Sequence, residues 1–332
     1  MSIYLSKSQV TDRLAPGIDY SLYPERWEDY IGQEAVKRQM KVAVQSAKIR
    51  NAPMPHTLIA HPSPGVGKTA LAALVAKERG TTCRLVTGVI LADQARILLS
   101  SMSDGDILVW DEIHRAVEGG RKNVEWMLTF LQDGVIEGPL GMEKQPAITV
   151  IGATTDPQKL PPALLSRFPI QPVLDEYTVE EGRQIAQLMA EDLLSESGLE
   201  PLVDEDAAII ATAADCNPRA IRNLLVNLRD LTLVGELDMD GVHYDVAGML
   251  VFQGVTEDGL DQNAQRYLAT LVTEFSGKAG MRNLQDRLQI AGGLGETENA
   301  LMKRGLLAKT GTGRQITAAG IKRFGELMEV AA

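Results

Sequence analysis

Apolar residues in the first half of the chain fall in short strand-like runs, at 56–60, 84–87, 107–110 and 148–152. Runs of this length without polar alternation predict strands buried on both faces. Between them the spacing changes to a helical period, as in Leu71, Leu74 and Val75 or in Val124, Met127, Leu128 and Leu131. Strands alternating with helices from about Leu22 to Tyr177 predict an α/β domain built on a parallel sheet. From Thr178 to about residue 253 the pattern is helical. Thr178 and Glu181 form a capping box ahead of Ile185, Leu188 and Met189. Asn217-Pro218-Arg219 opens a further helix, with Asn as the cap, Pro at the first helical position, and Ile221, Leu224, Leu225 and Leu228 along one stripe.

After a linker-like stretch from Gly254 to Gly259, helices are predicted near 261–275, 283–291 and 296–304. A hairpin follows, in which 306–309 and 314–317 flank Thr310-Gly311-Thr312-Gly313, and a last helix carries Ile321, Phe324 and Met328. Three helices and a hairpin predict a winged-helix module. The chain therefore divides into a loose leader (1–21), a P-loop ATPase domain (22–177), a helical lid (178–255) and a winged-helix domain (256–332).

Composition narrows the function classes. The longest apolar runs are far short of a membrane span, and the first residues lack the basic, apolar and small-residue order of a signal peptide, so a cytoplasmic location and no membrane partner are expected. Cys83 and Cys216 stand alone and predict core thiols, and the four histidines are scattered, so neither a disulfide framework nor a zinc site is indicated. The net charge of −11 excludes a protein that coats nucleic acid indiscriminately. Residues 261–332 nevertheless carry ten Lys/Arg against seven Asp/Glu, a local +3 beside −14 for the rest. A local DNA contact through the winged helix fits that distribution, with Lys303, Arg304, Lys309 and Arg314 as candidates and docking to a protein as the alternative.

The chemistry is concentrated in two stretches. Pro64-Gly65-Val66-Gly67-Lys68-Thr69 follows a predicted strand and opens a predicted helix, the setting of a P-loop. There the backbone N–H groups of Gly65 to Ala70 turn onto phosphates, Lys68 reaches the β and γ oxygens, and Thr69 offers a hydroxyl to Mg²⁺. Pro62 occupies the place of the first glycine of that pattern, so the loop opens without a positive-φ residue or an N–H there. The second stretch, Ile107-Leu108-Val109-Trp110, ends in Asp111 and Glu112. An acid at the end of a buried strand can hold the metal, and the acid after it can orient an attacking water. Arg219 is a cation in a first helical turn, against the helix dipole, which predicts an anion such as a nucleotide phosphate beside it.

The order of these parts resembles the RuvB family of AAA+ ATPases, the Holliday-junction branch-migration motors. The resemblance runs from about Leu22 to the end and rests on Tyr30-Ile31-Gly32-Gln33-Glu34, the P-loop, Asp111-Glu112-Ile113-His114-Arg115, Ile151-Gly152-Ala153-Thr154-Thr155, Leu165-Ser166-Arg167-Phe168, Asn217-Pro218-Arg219 and the final winged helix. It implies that Leu22, Tyr23 and Ile31 lie on the adenine side, with Tyr177 and Pro218 closing over the nucleotide. It implies that Thr155 is a polar sensor near the γ-phosphate, that Arg167 is an arginine finger for a neighbouring subunit's ATP, and that Arg219 is a lid-borne sensor. It further implies ATP and Mg²⁺, a ring that is expected to be a hexamer, and DNA, as a four-way junction or a duplex, as substrate. In the family a hairpin of the ATPase domain docks on RuvA, the junction-binding partner. Here the corresponding 133–149 segment is shorter than the family pattern, which leaves docking to a RuvA-like partner open. At the wing, Thr312 and Arg314 stand where the family tends to place arginines. A clamp-loader or initiator-like ATP switch and a non-hydrolysing scaffold are the alternative functions.

Overall fold

The computed structural model describes residues 23–290 and 293–330. It divides into two compact units, one ending at Glu181 and one beginning at Gly182.

In the first unit, β1 (Thr57–Ala60), β2 (Cys83–Thr87), β3 (Ile107–Asp111) and β6 (Thr149–Thr154) form a parallel sheet in the order β1-β6-β3-β2. Residues 170–173 extend it, with parallel bridges from Ile170 and Val173 to the two ends of β1. Alternation along the strands sorts the core into two layers. Ile59, Val109 and Ile151 face Met40 and Val44 of the helix Glu34–Arg50 and Leu71 and Val75 of the helix Lys68–Arg79. Leu58, Leu108 and Val150 face Leu98 of the helix Ala92–Leu99 and Met127 and Phe130 of the helix Arg121–Asp133. Both faces are covered, as the strand-like apolar runs predicted. Because β6 lies between β1 and β3, the strand order brings three strand ends side by side.

Between the helix Arg121–Asp133 and β6, β4 (Val135–Gly138) and β5 (Gly141–Lys144) form a separate antiparallel hairpin around Pro139 and Leu140. Leu140 at its tip is fully exposed, and Met142 is largely so.

The second unit begins within the helix Val179–Ser195, whose Thr178–Glu181 capping box is formed, with Glu181 Oε2 accepting Thr178 N–H at 2.8 Å. The helices Asp204–Ala213, Pro218–Leu233 and Val246–Gln253 follow, with a small hairpin of β7 (Met239–Asp240) and β8 (His243–Tyr244). The helices Gln262–Thr273, Met281–Leu288 and Gly295–Lys303 come next, then a three-stranded sheet in the order β10-β11-β9, made of β9 (Lys278–Ala279), β10 (Leu307–Thr310) and β11 (Gly313–Ile316). Leu268, Leu271, Leu284, Leu288, Leu301, Leu307 and Ile316 form its core. This is the winged-helix arrangement that the hairpin pattern predicted.

The closing helix Ala318–Val330 departs from expectation: Ile321 and Met328 are exposed, while Leu327 meets the core. Gly320 explains the rotation. A Cβ there would stand 2.3 Å from the Leu306 carbonyl, so the helix sits on that backbone through its glycine and turns the 320–327 side inward. Among the described residues no helix is long and apolar enough to cross a membrane, and Cys83 and Cys216 are both buried thiols outside any disulfide.

Candidate nucleotide site and wing

The P-loop leaves the end of β1 and turns into the helix Lys68–Arg79 through Gly65 (φ 79°) and Gly67 (φ 94°), the two positions where a left-handed backbone requires glycine. Gly67 is also closely approached, since a Cβ would lie 2.9 Å from Tyr30 Oη. The loop start that Pro62 alters is held another way: His61 Nδ1 accepts the Ser63 N–H at 3.0 Å. Lys68 is buried and donates to the carbonyls of His61 (3.1 Å) and Ser63 (2.9 Å), which draws the loop around its ammonium.

Two tyrosines brace this loop from outside. Tyr30 Oη donates to the Gly67 carbonyl at 3.2 Å and Tyr177 Oη to the Val66 carbonyl at 3.3 Å. Burial, and then the neighbouring Tyr177, hold the Tyr30 phenol well above its ordinary range, so it stays a neutral donor. Gln33 ties the two segments together, donating to the Asp175 carbonyl at 2.7 Å and accepting the Asp175 N–H at 2.9 Å. Ile31 and Tyr23 are half-buried in the same stretch, and Leu22 lies outside the described residues. Neither Tyr30 nor His61 was singled out from sequence. Tyr30 lies inside a recognised segment and His61 between the first strand and the P-loop, but their roles depend on contacts that spacing does not encode.

The strand ends supply the acids. Thr69 Oγ1 donates to Asp111 Oδ1 at 3.4 Å across from the P-loop. Burial, and then the adjacent Glu112 carboxylate, push the Asp111 carboxyl above its ordinary value. Two carboxylates crowded beside a hydroxyl at a phosphate-binding loop fit a divalent cation that takes most of its remaining ligands from phosphate and water. No group of three or more His, Cys, Asp or Glu poised for a protein-only metal site occurs among the described residues. Glu112 has left-handed backbone (φ 49°, ψ 49°), uncommon for a residue with a side chain. Its Oε2 accepts from Thr155 Oγ1 (2.9 Å) and Thr155 N (3.2 Å), so the acid after β3 and the threonine after β6 meet as the sheet order requires. His114, in the 3₁₀ turn Ile113–Gly119, also reaches Glu112, with Nδ1 3.1 Å from Oε2.

Arg167 is elsewhere. It lines a cleft of about 340 Å³ with Pro53 to His56, Pro146 to Ile148 and the end of the helix Arg121–Asp133, and its guanidinium donates to Gln132 Oε1. Those residues precede β1 and β6, whereas the P-loop follows β1. Arg167 therefore lies at the opposite end of the sheet from Lys68, about 13 Å of strand away at the least.

In the second unit, Asn217 Oδ1 accepts the N–H groups of Arg219 (3.1 Å) and Ala220 (3.3 Å), and Pro218 takes the first helical position, as the sequence predicted. Of the four wing-module cations, Lys303 is exposed and ion-paired with Asp215 at 3.0 Å, and Lys309 is exposed on β10. Arg304 donates to the Asp258 carbonyl at 2.7 Å and is largely covered. Arg314 corrects the expectation of a DNA-facing wing arginine. It turns into the core, where Nε and Nη2 each lie 2.9 Å from Oε2 of Glu298, itself 2% exposed. Tyr267 donates to the other oxygen of Glu298 at 2.9 Å and is held above its ordinary pKa by burial and by that carboxylate. Period two supplies the reason: β11 pairs Ile316 with Leu307 and Arg314 with Lys309, so Arg314 shares the inward face of Ile316.

Comparison with known proteins follows the same division. Residues 22–174 match the family described as the Holliday junction DNA helicase RuvB P-loop domain, and residues 257–325 match the RuvB C-terminal winged helix domain. A Kosmotoga olearia protein described as the Holliday junction branch migration complex subunit RuvB is 31% identical over 323 residues, covering 92% of this chain and 90% of that protein. Its counterpart from Thermotoga maritima is 33% identical over 318 residues, covering 91% and 92%. A solved structure of the Thermotoga maritima RuvB Holliday junction branch migration motor superposes with a TM-score of 0.75 at 30% identity, covering 92% of this chain and 98% of that one.

Proposed function

Because the chain belongs to the RuvB family, we propose that it is an ATP-driven DNA motor that moves Holliday-junction branch points as a ring, expected to be a hexamer. The observation that carries this reading is the meeting of three strand ends: Lys68 and Thr69 after β1, Asp111 and Glu112 after β3, and Thr155 after β6. In this reading the N–H groups from Gly65 to Ala70 and the Lys68 ammonium bind the phosphates. Thr69 and Asp111 would hold Mg²⁺, which when bound offsets phosphate charge. Glu112 orients the water that attacks the γ-phosphate, and Thr155 fixes the carboxylate that does so. Tyr23, Ile31 and Tyr177, with Leu22 and Pro218, are proposed for the adenine side, and Arg219 for the sensing of bound phosphate from the lid.

The position of Arg167 supports a ring. A guanidinium at the far end of its own sheet is badly placed for its own nucleotide and free to serve a neighbour's, where it would stabilise charge spread over the transferring phosphoryl group. DNA contact through the wing module is assigned to Lys303 and Lys309, with Arg304 and Arg314 holding the module together. The fully exposed Leu140 at the tip of the β4–β5 hairpin suits a protein partner of the RuvA kind. A cytoplasmic site of action in recombination and repair follows from the same family reading. Steady-state ATP hydrolysis, measured with and without four-way-junction DNA, tests the proposal. Junction-stimulated turnover that Glu112→Gln abolishes, by about 10²-fold or more, is the expected result. Turnover unchanged in Glu112→Gln would refute the assignment.

A further inference from the structure

Glu112 is anchored through one oxygen only. Oε2 gathers the Thr155 hydroxyl, the Thr155 amide and His114 Nδ1 within 2.9–3.2 Å, whereas Oε1 has no hydrogen-bond partner among the described residues. The backbone at Glu112 is left-handed, a conformation a non-glycine residue keeps only when its surroundings hold it. His114 is part of those surroundings. It is buried two residues on, in the 3₁₀ turn, and Nδ1 also lies 3.0 Å from Thr154 Oγ1, which accepts the Asp156 N–H at 3.0 Å.

Hydrogen-bond chemistry decides where the ring proton sits. A carboxylate only accepts, so a bare Nδ1 would oppose lone pairs at 3.1 Å; with Nδ1 protonated, the contact becomes a donor to Oε2 with Thr154 Oγ1 as a second acceptor. We propose that His114 is the positioning residue of Glu112. Its Nδ1–H, together with Thr155, pins Oε2 so that Oε1 is presented to the attacking water. The arrangement is that of a general base oriented by a third group, and it rests on the reading of Glu112 as the water-orienting acid.

Two substitutions test it. His114→Leu removes the donor, and His114→Asn restores an N–H near the place of Nδ1. The Leu variant is expected to lose about tenfold or more in kcat at saturating ATP with ATP affinity changed less than about twofold, and the Asn variant to regain most of the loss. A solely structural His114 would leave both variants alike in kcat once their thermal stability is matched, and that result overturns the proposal. So does an unaffected His114→Leu beside an inactive Glu112→Gln. An active Glu112→Gln removes the premise instead, and the proposal with it.

Ring ¹⁵N shifts give a reading that needs no folded variant at position 114. His56 and His61 accept backbone N–H groups on Nδ1 and so carry the proton on Nε2. His243, whose Nδ1 faces Asp206, is removed as His243→Gln. A remaining Nδ1–H signal that shifts in Glu112→Gln supports the assignment to His114; its absence overturns it.

Discussion

Asp111 and Glu112 stand at a strand end in the first unit, with Glu112 Oε1 lacking a hydrogen-bond partner among the described residues, whereas Arg314 stands within a strand of the second unit with its guanidinium on a buried carboxylate. Both places were marked by charge in the sequence. What separates them is how the chain positions the side chain. At the ends of parallel strands the backbone stops pairing, and polar groups collect where helix N-termini and loop amides favour an anion. Inside an antiparallel hairpin every second residue faces the core, so a cation at such a register must find a carboxylate or leave its charge buried. The first kind of charge is left open to a ligand and the second serves the fold.

The largest effect expected from this contrast concerns Arg314. Arg314→Ala leaves Glu298 buried and uncompensated, which should destabilise the second unit by about 3 kcal/mol or more. Arg314→Met combined with Glu298→Gln removes both charges, keeps an acceptor for Tyr267, and should recover most of that loss. Urea unfolding of the two variants beside the parent reads the difference. An Arg314→Ala variant of parental stability but reduced DNA affinity would return this arginine to the DNA surface and erase the contrast.

The same comparison can be drawn between the two ends of the parallel sheet. Beyond the C-terminal ends lies the candidate nucleotide site; before the N-terminal ends lies His56, whose Nδ1 accepts the Val150 N–H at 2.9 Å and whose ring meets Phe168 edge-on. Burial lowers this imidazole from 6.5 to about 4, so it is neutral in the fold. Its folded pKa lies below its unfolded one. The unfolded chain therefore takes up a proton that the native state refuses, and the stability is complete above pH 6.5 and lost as the pH falls toward 4, by up to about 3 kcal/mol. His56→Asn, which can still accept from Val150, should flatten the stability profile over that window. A profile equally steep in the variant would show that the ring is not what titrates.

Most of the scaffold was legible because its signals are local. Short strand-like apolar runs marked the four strands of the parallel sheet, Thr178–Glu181 and Asn217–Pro218 marked two helix starts, and Lys68 and Asp111 were visible from strand context. The parts that escaped depend on strand order or on a single close approach. His114 acquires a role only because β6 lies beside β3 and delivers Thr154 and Thr155 to it. Tyr30 does so because the chain before the helix Glu34–Arg50 folds back to Gly67. Gly320 turned the last helix away from its apparent stripe through contact with one carbonyl. Arg314 was legible in principle, since it alternates with Ile316, but local charge was the louder signal.

The smallest expected effect decides whether the wing touches DNA at all. Lys309 pairs with Arg314 across the hairpin yet remains exposed. A phosphate contact from it would contribute through counterion release, so Lys309→Ala should weaken junction binding at low salt and lower the slope of log K against log salt by about one unit, with unfolding unchanged. Binding titrations at several salt concentrations measure that slope. Arg314→Ala, by contrast, should change stability first and affinity only through it. If Lys309→Ala leaves the slope intact, the exposed cations of the wing are solvated surface, and the DNA must be held by another face of the protein.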